Sequence, residues 1–398
     1  MGSYLLVFLA AAATSFVATP VVRLLSLRFG WIDRPSDRKV HPRPTPTAGG
    51  LAIFLGVAVG IGVSHLIPFL AGLHELSSDT DAALLAALVI VVVGFLDDTR
   101  GVSPLGKLAG QVLAAGLLVL YGVQLLYFYV PGLGTVVLDP SLGVPLTVLW
   151  VVATVNAVNL IDGLDGLASG MVTIGAVAFF IYMYWGPGPN GEATTAALLS
   201  AVAAGAAVGF LPWNLHPARI FMGDSGAMLL GLVMGVATVS GVGRNAYGPT
   251  GGDLAAIAIP VVVPLLVLAV PILDVVLAIV RRMRRGVGIL HADKEHIHHR
   301  LLDIGHSHRQ AVLLMYLWSA LISGCALAVA FLNGRLLVGG TIVAAGLIAA
   351  VLPRVIRDTS PRGSEGVRVA LSGEAPSGRA ASAGAPADAT SGRVKDSA

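Results

Sequence analysis

The stretch AALLAALVIVVVGFLDD, residues 82–98, decides the fold. Ala82 to Leu96 runs without a polar side chain and stops on two adjacent carboxylates, Asp97 and Asp98. One such run could be a buried core helix, but the rest of the chain repeats it. The 398 residues are 56% hydrophobic and only 12% charged, with a mean hydropathy of +0.83, whereas soluble domains carry roughly 25% charged residues. Crossing a hydrocarbon core takes about 20 apolar residues, with a broad range. Spans are expected near residues 3–22, 50–70, 82–96, 105–124, 144–160, 167–185, 195–213, 225–242, 254–280, 310–331 and 334–353. The composition therefore predicts an all-α polytopic membrane protein with about 11 transmembrane helices and excludes a soluble globular enzyme.

Orientation follows from the basic residues. Arg23, Arg28, Arg34, Arg38, Lys39 and Arg43 follow the first span, and Arg281, Arg282, Arg284, Arg285, Lys294 and Arg300 follow the ninth. Loops 71–81 and 125–143 have neither lysine nor arginine, and Arg244 is the exception among the short loops. The positive-inside rule then places both basic loops in the cytoplasm, the N-terminus outside and the C-terminus inside. The first span lacks a basic leader, so it is expected to stay as a span rather than be removed as a signal peptide. Cys325 is the sole cysteine, which rules out an intramolecular disulfide. Residues 1–355 are read as one membrane domain. Residues 356–398, rich in Ser, Gly, Ala and Pro without an apolar period, are read as a disordered cytoplasmic tail.

Polar groups are costly in such a chain, so those that cluster at span ends mark a site. Asp97 and Asp98 are close enough to raise each other's proton affinity, as in a general base or a metal-facing pair, although two carboxylates can also serve simply to end a helix. In Asn156-Ala-Val-Asn-Leu-Ile-Asp-Gly-Leu-Asp165, the residues Asn156, Asn159, Asp162 and Asp165 recur every three positions and share a face wherever the backbone stays helical. Two carboxylates and two amides would then point at one spot, where Gly163 and Gly166 let a phosphate or nucleotide approach the main chain; hydrogen bonding among these residues between helices is the lesser alternative. Asn214 to Gly226 adds Asn214, Phe221 and Asp224. Asp224 either caps the following helix or, lacking a basic partner nearby in sequence, helps hold a hard cation through oxygen. His296, His298 and His299, followed by Arg300, lack the cysteines or the His-Glu-x-x-His spacing of a zinc site and suit hydrogen bonding to phosphate or sugar oxygens. The proline-stiffened loop before residue 50 carries Lys39 and His41, which either meet anions or only set topology. Acidic groups for a divalent cation and basic groups for phosphates, gathered at the cytoplasmic face, point to phosphoryl transfer between a soluble substrate and a lipid. A transporter would place its key groups near the midplane on broken helices.

Pro46-Thr-Ala-Gly-Gly50, Gly94-Phe-Leu-Asp-Asp98, Asn156 to Gly166, Phe221-Met-Gly-Asp-Ser-Gly226 and His296-Ile-His-His-Arg300 together resemble the polyprenyl-phosphate N-acetylhexosamine-1-phosphate transferases. The resemblance implies transfer of GlcNAc-1-phosphate from UDP-GlcNAc to an undecaprenyl or decaprenyl phosphate in the bacterial inner membrane. UMP would be released, opening the synthesis of a cell-envelope polysaccharide such as lipopolysaccharide or arabinogalactan. The alternatives are the phospho-MurNAc-pentapeptide transferase of peptidoglycan synthesis and, further off, a lipid or nucleotide-sugar transporter. His-Ile-His-His-Arg, in place of a histidine triplet, favours the GlcNAc branch. The same resemblance implies Mg2+, replaceable by Mn2+, on Asp224, and makes Asp97, Asp98, Asp162 and Asp224 catalytic. Lys39, His41, Asn156, Asn159, Asp165, Asn214, Phe221, His296, His298, His299 and Arg300 become substrate-binding. It implies a homodimer and no nucleic-acid partner.

Overall fold

The computed structural model describes residues 1–34, 44–130, 134–185, 194–242 and 307–331. These form α1 (Gly2–Phe29), β1 (Ile32–Asp33), β2 (Thr45–Pro46), α2 (Gly50–Leu66), α3 (Pro68–Leu76), α4 (Asp79–Arg100), α5 (Pro104–Leu120), β3 (Tyr127–Val130), β4 (Gly134–Val137), α6 (Pro140–Ile161), α7 (Leu167–Trp185), α8 (Thr195–Asn214), α9 (Gly223–Val242) and α10 (His308–Phe331). Local chemistry sets several of the boundaries. Pro104 and Pro140 open α5 and α6 at a position where a missing N–H costs nothing. Ser103, Asp139 and Thr194 cap α5, α6 and α8 by accepting from Gly106 N, Ser141 N and Ala197 N.

Among the described residues, seven helices are long and apolar enough to cross a membrane, and eight if the bent pair α2–α3 counts as one span. The chain is thus a multi-pass membrane protein. The span expected at 50–70 is not a straight rod: α2 and α3 meet at 102°. Pro68 is the reason, because its ring forces the preceding Ile67 out of helical geometry, to φ −99 and ψ 112. α5, at 17 residues, is apolar but shorter than a full span, and α6 begins at Pro140 rather than at the expected 144. The all-α expectation overlooked two antiparallel ribbons, β1 with β2 and β3 with β4. They are only two and four residues per strand, too short for a period-two pattern to stand out. The spans expected at 254–280 and 334–353, and the tail from residue 356, lie outside the described residues.

α8 and α9 form the centre of the bundle and are buried along most of their length. α1 and α2 pack on α8, α4 and α6 on α9, and α7 lies against both α8 and α10. Small residues permit this closeness: a side chain at Gly205 or Gly209 of α8 would collide with the Phe8 or Ala12 carbonyl of α1. Large apolar residues of α1 such as Leu5, Leu9, Phe16 and Leu24 remain exposed on its outer side. Lipid tails as solvent make such exposure inexpensive.

Candidate active site

Antiparallel helices joined by short turns bring six helix ends to one end of the bundle: the C-termini of α4, α6 and α8 and the N-termini of α5, α7 and α9. The carboxylates singled out in the sequence sit on these ends. Asp98, on the last turn of α4, is half-buried and accepts hydrogen bonds from Asp224 N at 2.8 Å, Ser225 N at 3.2 Å and Ser225 Oγ at 2.7 Å. It caps α9 from another helix and places its charge where unpaired N–H groups and the helix dipole favour an anion. The capping role considered for Asp224 therefore belongs to Asp98, and the Asp224 side chain faces Lys107 instead.

Three motif glycines make this contact sterically feasible. Gly223 adopts φ +70, and a side chain there would strike the Asp98 carboxylate. Gly94, one turn before Asp98, lies against the Ser225 backbone, and Gly50 lies against Ser225 and Gly226. The main chain completes the joint: Gly49 N and Gly50 N donate to the Phe221 and Met222 carbonyls at 3.0 and 2.9 Å, and Phe221 N donates to Pro46 O at 2.9 Å. Segments 46–50, 94–98 and 221–226, far apart in sequence, are one packed unit.

Lys107 is the residue that sequence reasoning missed. From the first turn of α5 its Nζ lies 2.6 Å from Asp97 Oδ2 and 2.5 Å from Asp224 Oδ2. Asp224 thus has a basic partner after all, supplied across the fold rather than from nearby sequence. The available signal was a lone lysine at the start of an otherwise uncharged helix. Asp97 also accepts from Val102 N at 2.7 Å, which fixes the α4–α5 turn.

Asp162 ends α6 as its C-terminal cap residue. Burial, then the negative charges of Asp224, Asp98 and Asp165, push its carboxyl up to about 8. Four aspartates, 97, 98, 162 and 224, share one locality with one ammonium, Lys107, among the described residues. This all-oxygen, charge-rich donor set fits a hard divalent cation such as Mg2+.

The other expected residues divide into groups. Asn156 donates through Nδ2 to Gln111 Oε1 at 2.6 Å, and Gln111 Nε2 returns a longer contact of 3.4 Å, joining α5 to α6 one turn deeper than Lys107. This is the interhelical amide pairing that the sequence left open. Asn159 is half-buried on the last turn of α6, and Phe221 is half-buried beside Asp224. Asn214 is buried; its Oδ1 accepts from Gly166 N at 3.0 Å and Ser169 Oγ at 3.2 Å, and its Nδ2 donates to Ile220 O at 3.2 Å. It ties the 162–166 turn to the α8–α9 loop. α6 stops at Ile161, so the three-residue period breaks before Asp165, whose Oδ2 instead accepts from His216 Nδ1 at 2.7 Å and Ala218 N at 3.1 Å. Lys39, His41, His296, His298, His299 and Arg300 lie outside the described residues.

Residues 81–242 match the model of glycosyl transferase family 4. The chain is 42% identical to the decaprenyl-phosphate N-acetylglucosaminephosphotransferase of Mycolicibacterium smegmatis, over 88% of this chain and 89% of that protein. It is 37% identical to a probable undecaprenyl-phosphate N-acetylglucosaminyl 1-phosphate transferase of Bacillus subtilis, covering 78% of this chain and 80% of the relative. A phospho-N-acetylmuramoyl-pentapeptide-transferase of Mycobacterium avium is 35% identical over 58% of this chain and 74% of its own length.

Proposed function

We propose that this chain, which belongs to glycosyl transferase family 4, transfers GlcNAc-1-phosphate from UDP-GlcNAc to a polyprenyl phosphate. In the reaction, a phosphate oxygen of the lipid attacks the β-phosphorus of the donor. The bond from that phosphorus to the bridging oxygen breaks and UMP leaves, so that a lipid-linked pyrophosphoryl GlcNAc remains. The observation that carries the reading is the convergence of Asp97, Asp98, Asp162 and Asp224 with Lys107 at one end of the bundle. There a water-soluble nucleotide and a membrane-embedded lipid phosphate can meet. The greater coverage of the GlcNAc-transferring relatives supports this donor over the muramoyl pentapeptide.

Phosphoryl transfer asks the protein chiefly for charge neutralisation and in-line positioning. Asp224, with Asp162 beside it, is the pair suited to hold Mg2+ or Mn2+, which when bound supplies positive charge to the diphosphate. Lys107 adds a mobile ammonium that can exchange Asp97 and Asp224 for phosphate oxygens as these enter. Asp97 orients the attacking lipid phosphate through Lys107. Asp98 holds the N-terminus of α9 so that Asp224 is presented at a constant place. The positive-inside pattern supports a cytoplasmic position for this end of the bundle, in a membrane domain of about eleven spans with the N-terminus outside.

The test is UMP release by purified protein with polyprenyl phosphate and Mg2+, comparing UDP-GlcNAc with UDP-MurNAc-pentapeptide and following the lipid product. Turnover with UDP-GlcNAc alone is expected. Turnover with only the pentapeptide substrate would move the chain to the muramoyl branch, and donor or lipid movement without UMP would replace the enzyme by a transporter.

A further inference from the structure

A second polar cluster is built from residues outside the carboxylate and lysine group. Asp165 comes from the turn between α6 and α7, His216 from the α8–α9 loop, and His308 is the first residue of α10. One ligand atom from each lies within 4.8 Å of the other two. The His216 and His308 rings stack with centroids 4.1 Å apart and planes inclined by 20°. His308 Nε2 is buried and makes no hydrogen bond among the described residues. That nitrogen is the independent sign of a missing partner, since a buried ring nitrogen is normally satisfied.

We infer that Asp165, His216 and His308 form a binding site for a borderline divalent transition-metal ion of the Zn2+ class, separate from the carboxylate cluster. Two imidazole nitrogens and one carboxylate oxygen are the donor set of three-ligand zinc sites with an open fourth position. The same set discriminates against Mg2+, which prefers oxygen throughout. A second layer of support is already in place, because Ala218 N–H donates to Asp165 Oδ2 at 3.1 Å and orients the carboxylate. Zinc with bonds of about 2.0–2.2 Å needs its ligand atoms closer together than 4.8 Å, so the site tightens on loading. His216 is exposed on its loop and can turn its ring away from the stack to do so. The ion exchanges the His216–Asp165 hydrogen bond for two coordinate bonds and clips the start of α10 to the loop that leads into Asp224. The site thus joins three segments that the chain brings together only in the folded state.

The experiment uses the full chain in detergent, stripped of metal and titrated with Zn2+ against a chromophoric chelator. We expect one saturable ion per chain that millimolar Mg2+ does not displace. The variants His216→Ala and His308→Gln should each weaken it at least tenfold, whereas joint replacement of His296, His298 and His299 by alanine should leave it within twofold. Thermal unfolding with and without Zn2+ is the companion reading: zinc should raise the midpoint of the wild type and not that of His308→Gln. Absence of saturable binding, wild-type affinity in both single variants, or loss confined to the triple variant would each overturn the assignment. If His216→Ala does not fold, His308→Gln decides alone, since glutamine keeps much of the size and polarity at the partly buried start of α10.

Discussion

At the scale of residues, the two neighbouring aspartates of α4 have different tasks, and their variants should separate. Asp98 accepts two backbone N–H groups and a hydroxyl at the start of α9, so Asp98→Ala should lower both turnover and the stability of the detergent-solubilised protein, the latter by about 2 kcal/mol. Asp97, whose side chain is 16% exposed, pairs with Lys107, and as Asn it keeps an oxygen for Val102 N, so it should lose turnover with a smaller loss of stability, about 1 kcal/mol. Thermal unfolding beside UMP release reads both effects; equal destabilisation would contradict the division. Asp162 adds a pH signature. An ordinary aspartate ionises near 3.8 and Asp162 near 8 in the folded chain. Between these values folding takes up a proton, so this group's contribution to stability falls as pH rises and levels off above about 8. A divalent cation among the carboxylates competes with the same proton. Mg2+ affinity should therefore increase from about pH 6 to pH 8, and calorimetry in buffers of different ionisation enthalpy should show proton release that Asp162→Asn reduces. The four clustered aspartates were conspicuous in the sequence because charge beside an apolar run is costly. Lys107 was not, because its meaning depends on two carboxylates 10 and 117 positions away.

At the scale of elements, loops and helix ends are held by amides and glycines that the motifs disguise as ligand contacts. Asn214 binds Gly166 N, Ser169 Oγ and Ile220 O at once. Asn214→Ala leaves a buried N–H without an acceptor and should destabilise the protein by about 1–3 kcal/mol, visible as a lower unfolding midpoint even without substrate; an unchanged midpoint would return Asn214 to a substrate-only role. Gly94→Ala should act through packing, since its new methyl would meet the Ser225 backbone. A displacement of α9 there costs about 1–3 kcal/mol and should depress turnover, whereas Gly116→Ala, with open space around it, should change neither. The start of α5 at Pro104 lies one residue from the expected 105, whereas α6 starts at Pro140, four residues before the expected 144, although Asp139 and Pro140 carry the chemistry of a helix start. At Pro68, likewise, apolar composition continues across the bend, and only the backbone rule for the residue before proline predicts the break.

At the scale of the whole molecule, the orientation is open to a direct test. Ser78 and Arg100 are exposed at opposite ends of α4. In a Cys325→Ser background, a membrane-impermeant maleimide should label Ser78→Cys on intact cells and Arg100→Cys only after permeabilisation; the reverse pattern would put the carboxylate cluster outside. The sequence by itself determined that this is a helical multi-pass membrane protein, which carboxylates form the polar clusters, and which family they resemble. Apolar length, charge distribution and motif spacing are local quantities, and a linear reading captures them. Only the tertiary structure decided that Asp98 serves α9, that Lys107 joins Asp97 to Asp224, that Asn214 secures a turn, and that Asp165 meets two histidines. Each is a contact between helix ends brought together by close small-residue packing, and the partner in such a contact is fixed by three-dimensional distance, which spacing along the chain does not encode.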